Sequence, residues 1–118
     1  MNKHALYHKS DSLYGFAVAD DTVELRLRAA RGDLSHGELI YGPKHSFSLR
    51  RHTAPMTLSS SDALFDYFTI RLKLDDKRLA YMFYLTAADG KKYYFSEDGA
   101  TEDYDIATSF YNFFQLAY

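Results

Sequence analysis

The amino-acid sequence predicts an all-β domain in which eight or nine short strands form two packed antiparallel sheets. Three observations carry this. Residues 22–29 and 68–74 alternate apolar with polar side chains, residues 80–86 are apolar on both faces, and an Asp89-Gly90 pair follows that last run. A period of two is the side-chain geometry of a strand, whereas a helix would repeat every 3.6 residues.

Ala5-Leu6-Tyr7-His8 is a first short candidate strand, separated by polar residues 10–12 from a second at residues 15–19. In the run that follows, Val23, Leu25 and Leu27 share one face while Glu24, Arg26 and Arg28 share the other, the pattern of a half-buried strand. Residues 30–36 read as a connection, followed by short candidate strands at residues 38–41 and 47–56. Residues 58–62 are polar, and their Ser59-Ser60-Ser61 run reads as a loop. Phe68, Ile70, Leu72 and Leu74 then alternate with Thr69, Arg71 and Lys73 ahead of an Asp75-Asp76-Lys77 turn. Tyr81, Phe83 and Leu85 point one way and Met82 and Tyr84 the other, so this strand belongs in the middle of a sheet with both faces covered. Asp89-Gly90 suits the positive φ angles of a tight hairpin leading into residues 92–96. Thr101 with Glu102, Asp103 and Asp105 resembles a helix cap; residues 101–109 read as a turn or a single helical turn, and residues 110–117 as a last strand. Short strands without a long helical period describe two packed antiparallel sheets, with residues 1–118 as a single domain.

With 118 residues, 47% of them hydrophobic, the chain is long enough for one self-sufficient core. It contains no cysteine, which excludes disulfides, thiolate nucleophiles and cysteine metal sites. Fourteen basic and sixteen acidic side chains are dispersed rather than gathered on a stripe, which argues against a nucleic-acid partner. The Arg50-Arg51-His52 cluster reads as a solvated strand edge. The N-terminus lacks the apolar stretch of a signal peptide and no run approaches a membrane span, so the expectation is a soluble protein with no membrane partner, cytoplasmic by default.

The residues that bear chemistry do not assemble into a catalyst. His4 and His8 would share a strand face, but two ligands without a third rarely hold a metal, and they read as a surface pair. Asp62 and Asp66 could supply the carboxylate pair of glycoside hydrolysis, yet at a strand entry they read as turn and edge residues. The serine run lacks the Gly-flanked spacing of a nucleophile elbow, and no Gly-rich phosphate loop is present. The reading is therefore no catalytic residue, no metal and no cofactor. What stands out is eleven Tyr and nine Phe, more than the core of such a chain must hide. Exposed tyrosines suit either a protein interface or a platform for sugar rings.

Several segments occur in a familiar order: Ala5-Leu6-Tyr7-His8, Thr22-Val23-Glu24-Leu25-Arg26-Leu27-Arg28-Ala29, Gly32-Asp33-Leu34, Glu38-Leu39-Ile40-Tyr41-Gly42, Ser61-Asp62-Ala63-Leu64-Phe65-Asp66-Tyr67-Phe68, Arg78-Leu79-Ala80-Tyr81-Met82-Phe83 and Tyr94-Phe95-Ser96-Glu97-Asp98-Gly99. Across nearly the whole chain this resembles the N-terminal domain of the neopullulanase, maltogenic amylase and cyclomaltodextrinase group. The resemblance implies an immunoglobulin-like sandwich, classed among carbohydrate-binding modules and placed ahead of a (β/α)8 catalytic barrel. Such enzymes cleave α-1,4 bonds in cyclodextrins, pullulan and starch oligosaccharides. Their N-terminal domain packs on the barrel of a dimer partner and narrows its cleft, and some bind calcium, for which this sequence shows no ligand cluster. The resemblance also implies that the loop after the Glu38-Leu39-Ile40-Tyr41-Gly42 strand meets the sugar. Here it reads Tyr41-Gly42-Pro43-Lys44-His45-Ser46-Phe47, with Pro43 where relatives carry aspartate and His45 where some carry tyrosine. Tyr41, His45 and Phe47 are the carbohydrate-contacting residues it suggests. The implied partners are α-glucan oligosaccharides, bound weakly, and the catalytic barrels of the same enzyme and of its dimer partner. The alternative is a protein-interaction sandwich with no carbohydrate role.

Overall fold

The computed structural model describes residues 1–10, 12–43, 52–74, 78–97, 99–102 and 114–117. Among them, strands form in the order β1 (Gly15–Ala19), β2 (Thr22–Ala30), β3 (Leu34–Pro43), β4 (His52–Pro55), β5 (Thr57–Ser61), β6 (Phe65–Lys73), β7 (Arg78–Ala87), β8 (Lys92–Ser96), β9 (Gly99–Glu102) and β10 (Phe114–Ala117). The first sheet has the order β1-β2-β6-β5 and the second β4-β3-β7-β8-β9, with β10 also paired to β7. Every pairing is antiparallel.

The alternation of β2 puts Val23, Leu25, Leu27 and Ala29 wholly out of solvent while the residues between them stay partly exposed. Across the sheet, Leu25 lies opposite Ile70 and Leu27 opposite Phe68, so two strands distant in sequence present one continuous apolar surface. From the other sheet Leu39, Leu79, Tyr81, Phe83, Leu85 and Phe95 meet that surface and form the main core. Burying a side chain of this size stabilises the fold by about 1.5–3 kcal/mol, which is why the alternation dictates which face turns inward.

β7 is the strand on which the second sheet is organised. β3 pairs along nearly its whole length, β8 with residues 83–86 and β10 with residues 78–81. Its inward residues belong to the main core. On its opposite face Ala80 and Met82 are also fully buried, grouped with Ile40 and Tyr94 and flanked by Tyr84. The absence of a polar face thus corresponds to a central strand covered on both sides. After β7, the Ala87 N–H donates to Lys91 O at 2.8 Å and the Gly90 N–H to Ala87 O at 2.9 Å. This closes a three-residue loop in which Gly90 takes a φ of +89°, a left-handed conformation that glycine adopts without strain.

Five expectations from the sequence need correction. Residues 5–8 do not form a strand: Lys3–Ala5 is a 3₁₀ turn capped by the Asn2 side chain, which accepts the His4 N–H at 3.1 Å, and the segment then meets β2 through an isolated bridge between Tyr7 and Arg28. His8 is buried rather than on the surface. Residues 58–61, read as a loop, belong to β5, an edge strand exposed at every position. Alternation reveals a strand only when one face is buried, and β5 buries neither; its backbone pairs with β6, and Ser59 Oγ donates to Tyr67 O at 3.1 Å. Thr101 and Glu102, read as the start of a turn, end strand β9 instead, and the described strands number ten rather than eight or nine. The rest of residues 101–109 lies outside the described residues. In the described part of residues 47–56, His52–Pro55 forms β4, and residues 47–51 lie outside the described residues; Pro55, which lacks an N–H, is accommodated because β4 is at a sheet edge.

Candidate carbohydrate-contacting site

Tyr41 is two residues from the end of β3. Leu39 belongs to the main core and Ile40 to the buried group on the opposite face, so alternation returns Tyr41 to the core side, where its partly buried ring packs against the core. The strand pairing sets Tyr41 opposite His52 of β4 and opposite Tyr81 of β7. Its ring sits 5.6 Å from the His52 ring, the planes tilted by 39°. The Tyr41 and His52 rings therefore close one end of the sheet edge where β3 runs out, with an amphipathic phenol partly open to solvent. His45 and Phe47 lie outside the described residues, as do Lys44 and Ser46.

The two acidic residues weighed as a hydrolytic pair are committed to other work. Asp62 Oδ1 accepts the N–H groups of Leu64 at 2.9 Å and Phe65 at 2.8 Å, and Oδ2 accepts the Tyr67 hydroxyl at 3.1 Å. Asp66 accepts the Ser61 hydroxyl at 2.5 Å and the Gly32 N–H at 2.9 Å. Hydrogen bonds to the charged form lower both pKa values: those from Leu64 and Phe65 hold Asp62 below the ordinary carboxylate range, and those from Ser61 and Gly32 do so for Asp66. A general acid for glycoside cleavage needs the opposite shift. These carboxylates shape the turn into β6 and tie it to the turn after β2.

Among the described residues, no group of three or more His, Asp or Glu side chains could hold a metal ion. His4 is exposed on the 3₁₀ turn, while both ring nitrogens of His8 are engaged inside the protein, so the two cannot act as a ligand pair. Arg26 and Arg71 converge on Glu24, at 3.7 and 2.9 Å. These two basic side chains of that sheet face thus share one carboxylate, each pair worth under about 1 kcal/mol. Among the described residues, no helix is long and apolar enough to cross a membrane.

Sequence reasoning missed one cluster altogether, the hydrogen-bonded group of His8, Tyr81 and Ser10 inside the sandwich. A signal for it was present. His8 has the parity of buried Leu6, and Tyr81 that of Phe83, so both face inward and each polar end requires a partner.

Two antiparallel sheets closed over one core define this as an immunoglobulin-like β-sandwich domain. The chain belongs to the family described as the alpha amylase N-terminal ig-like domain, whose model matches residues 1–118. It is 35% identical over 102 residues to a cyclomaltodextrinase of Geobacillus thermopakistaniensis (strain MAS1), a match covering 84% of this chain and 17% of the relative. It is 30% identical over 115 residues to neopullulanase 2 of Thermoactinomyces vulgaris, covering 97% of this chain and 19% of that protein. A solved cyclomaltodextrinase structure superposes with a TM-score of 0.87 at 24% identity, over 100% of this chain and 20% of the other. The chain thus spans about a fifth or less of the length of these proteins.

Proposed function

We propose that this chain is a non-catalytic domain of a glycosidase acting on α-1,4-linked glucans, where it lends an aromatic wall to a substrate site and packs on the catalytic barrels of its own enzyme and of a dimer partner. The observation that carries the proposal is the family match along the whole chain, to enzymes named for cyclomaltodextrin and pullulan substrates. The engaged state of Asp62 and Asp66 supports it, since it leaves no acid and base poised for cleavage on that turn. The wall is the end of β3 at Tyr41, with His45 and Phe47 following it in the sequence.

A few rings, each adding about 0.5–1.5 kcal/mol beyond burial, give weak binding to the isolated domain, with Kd on the order of millimolar. Titrating ¹⁵N-labelled chain with a cyclomaltodextrin is expected to shift the amides of residues 40–47 and of His52 most, and Tyr41→Ala to reduce those shifts. Shifts confined to the β1-β2-β6-β5 sheet would place the sugar elsewhere. A second reading, a protein-interaction sandwich without a sugar role, is favoured by Leu13 and Leu64, which are 79% and 70% exposed. No shift at any millimolar sugar concentration would select it.

A further inference from the structure

His8 is the one histidine among the described residues that lies in the interior, and it joins three parts of the fold. Its Nδ1–H donates to the backbone carbonyl of Arg26 on β2 at 2.7 Å. That bond fixes the tautomer and leaves Nε2 as an acceptor, which the Tyr81 hydroxyl of β7 fills. The Tyr81 oxygen in turn accepts from Ser10 Oγ at 2.8 Å. The rings of Tyr81, Phe83 and Phe114 surround the imidazole, with centroids 5.3, 4.9 and 4.8 Å away. From β1 it meets Gly15, where an added Cβ would stand 3.5 Å from His8 Cε1. Among the described residues, the polar groups facing it are thus a carbonyl and two hydroxyls, and no carboxylate or ammonium acts on it. Reversing the hydroxyl chain would give a second ring N–H an acceptor but no counter-charge.

The segment that carries His8 has few other fastenings. Tyr7 and Arg28 exchange backbone hydrogen bonds of 3.0 Å each, Arg28 Nε donates to Ala5 O at 3.1 Å, and Asn2 N–H donates to Asp33 Oδ2 at 2.6 Å. Ala5 and Leu6 add buried apolar side chains, Met1 packs partly buried against the core, and Lys3 lies over the Tyr93 ring and Tyr7 beside the Tyr14 ring. The sheets themselves rest on the β2–β6 and β3–β7 ladders, which contain no histidine in the interior.

We propose that His8 is an acid-operated latch: protonating its imidazole releases residues 1–10 from the seam between the sheets while the strand ladders stay formed. In the latched state burial pushes the His8 pKa down from 6.5 to about 4, against the opposing effect of the Arg26 carbonyl bond. A group with a lowered folded-state pKa holds fully above its ordinary value and loosens as pH falls toward the lowered one, so the latch weakens between pH 6.5 and about 4. With these two values, the opening equilibrium rises about 20-fold from pH 7 to pH 5.

Native-state amide exchange, corrected for the intrinsic effect of pH, reads this directly. The Tyr7 and Arg28 amides are expected to lose about 20-fold in protection between pH 7 and pH 5. The Leu25 and Leu27 amides, which face β6, should stay at least about tenfold better protected than Tyr7 and Arg28 at both pH values. In His8→Gln the pH response of Tyr7 and Arg28 should vanish. Should that variant fail to fold, the wild-type His8 Cε1–H resonance reads the same group and should stay near its neutral position from pH 7 down to pH 5. Equal protection of all four amides at both pH values, or a His8 Cε1–H resonance in the folded protein that titrates at 6.5, would overturn the latch.

Discussion

Replacing Phe83 by alanine is expected to cost about 3–5 kcal/mol of stability, the range for deleting a buried aromatic ring. The ring is wholly shielded and stands 4.9 Å from the His8 ring, 5.7 Å from Phe114, 5.9 Å from Tyr81 and 6.0 Å from Phe95. These neighbours come from the N-terminal segment, β10, β7 itself and β8, so no single shift of one element can close the space. A domain of this size has a total of about 5–15 kcal/mol, and a loss of this order lowers Tm by roughly 10–20 °C. Urea or thermal unfolding followed by circular dichroism checks it. A loss under about 1 kcal/mol would mean that the ring lies outside the packed interior.

Met82→Asp should be as damaging or worse, although the side chain points to the opposite side of the same strand. On an ordinary two-layer sandwich that face would be wet and the change nearly silent. Here Met82 is fully buried beside Ile40, Ala80 and Tyr94, so a carboxylate there either loses its hydration or stays protonated with few partners. The expected cost exceeds about 4 kcal/mol and leaves little folded protein at 37 °C. Arg71→Gln, on the solvated face of β6 with an exposed pair to Glu24, should cost under about 1 kcal/mol by comparison. Equal, small effects of the two substitutions would show that the outer face of β7 is open.

The contrast between these two faces also shows what can be read before folding. Val23, Leu25 and Leu27 in β2, and Phe68 and Leu72 in β6, reveal their strands because water forces one face inward, and that asymmetry is written in the order of residues. β7 is legible for the opposite reason, the lack of any polar face, and Asp89-Gly90 marks its hairpin because Gly90 must take a positive φ. β5 is illegible because Leu58 and its serine neighbours bury nothing, so edge pairing alone makes them a strand. The match of Leu27 to Phe68 and of Tyr41 to Tyr81 depends on contacts between distant segments, which no local pattern encodes. At the candidate site, Tyr41 alone of the three residues suggested by resemblance has a described position; its place on β3 follows from alternation, and its pairing with His52 does not.

Reducing-sugar release from a cyclomaltodextrin incubated with this chain alone tests most directly whether its residues include a catalyst. The hydrogen bonds that keep Asp62 and Asp66 ionised predict no release above the protein-free rate, and none gained or lost on replacing either by asparagine. Sustained release that Asp62→Asn or Asp66→Asn abolishes would contradict the account, because it would put an acid and its partner on the turn before β6.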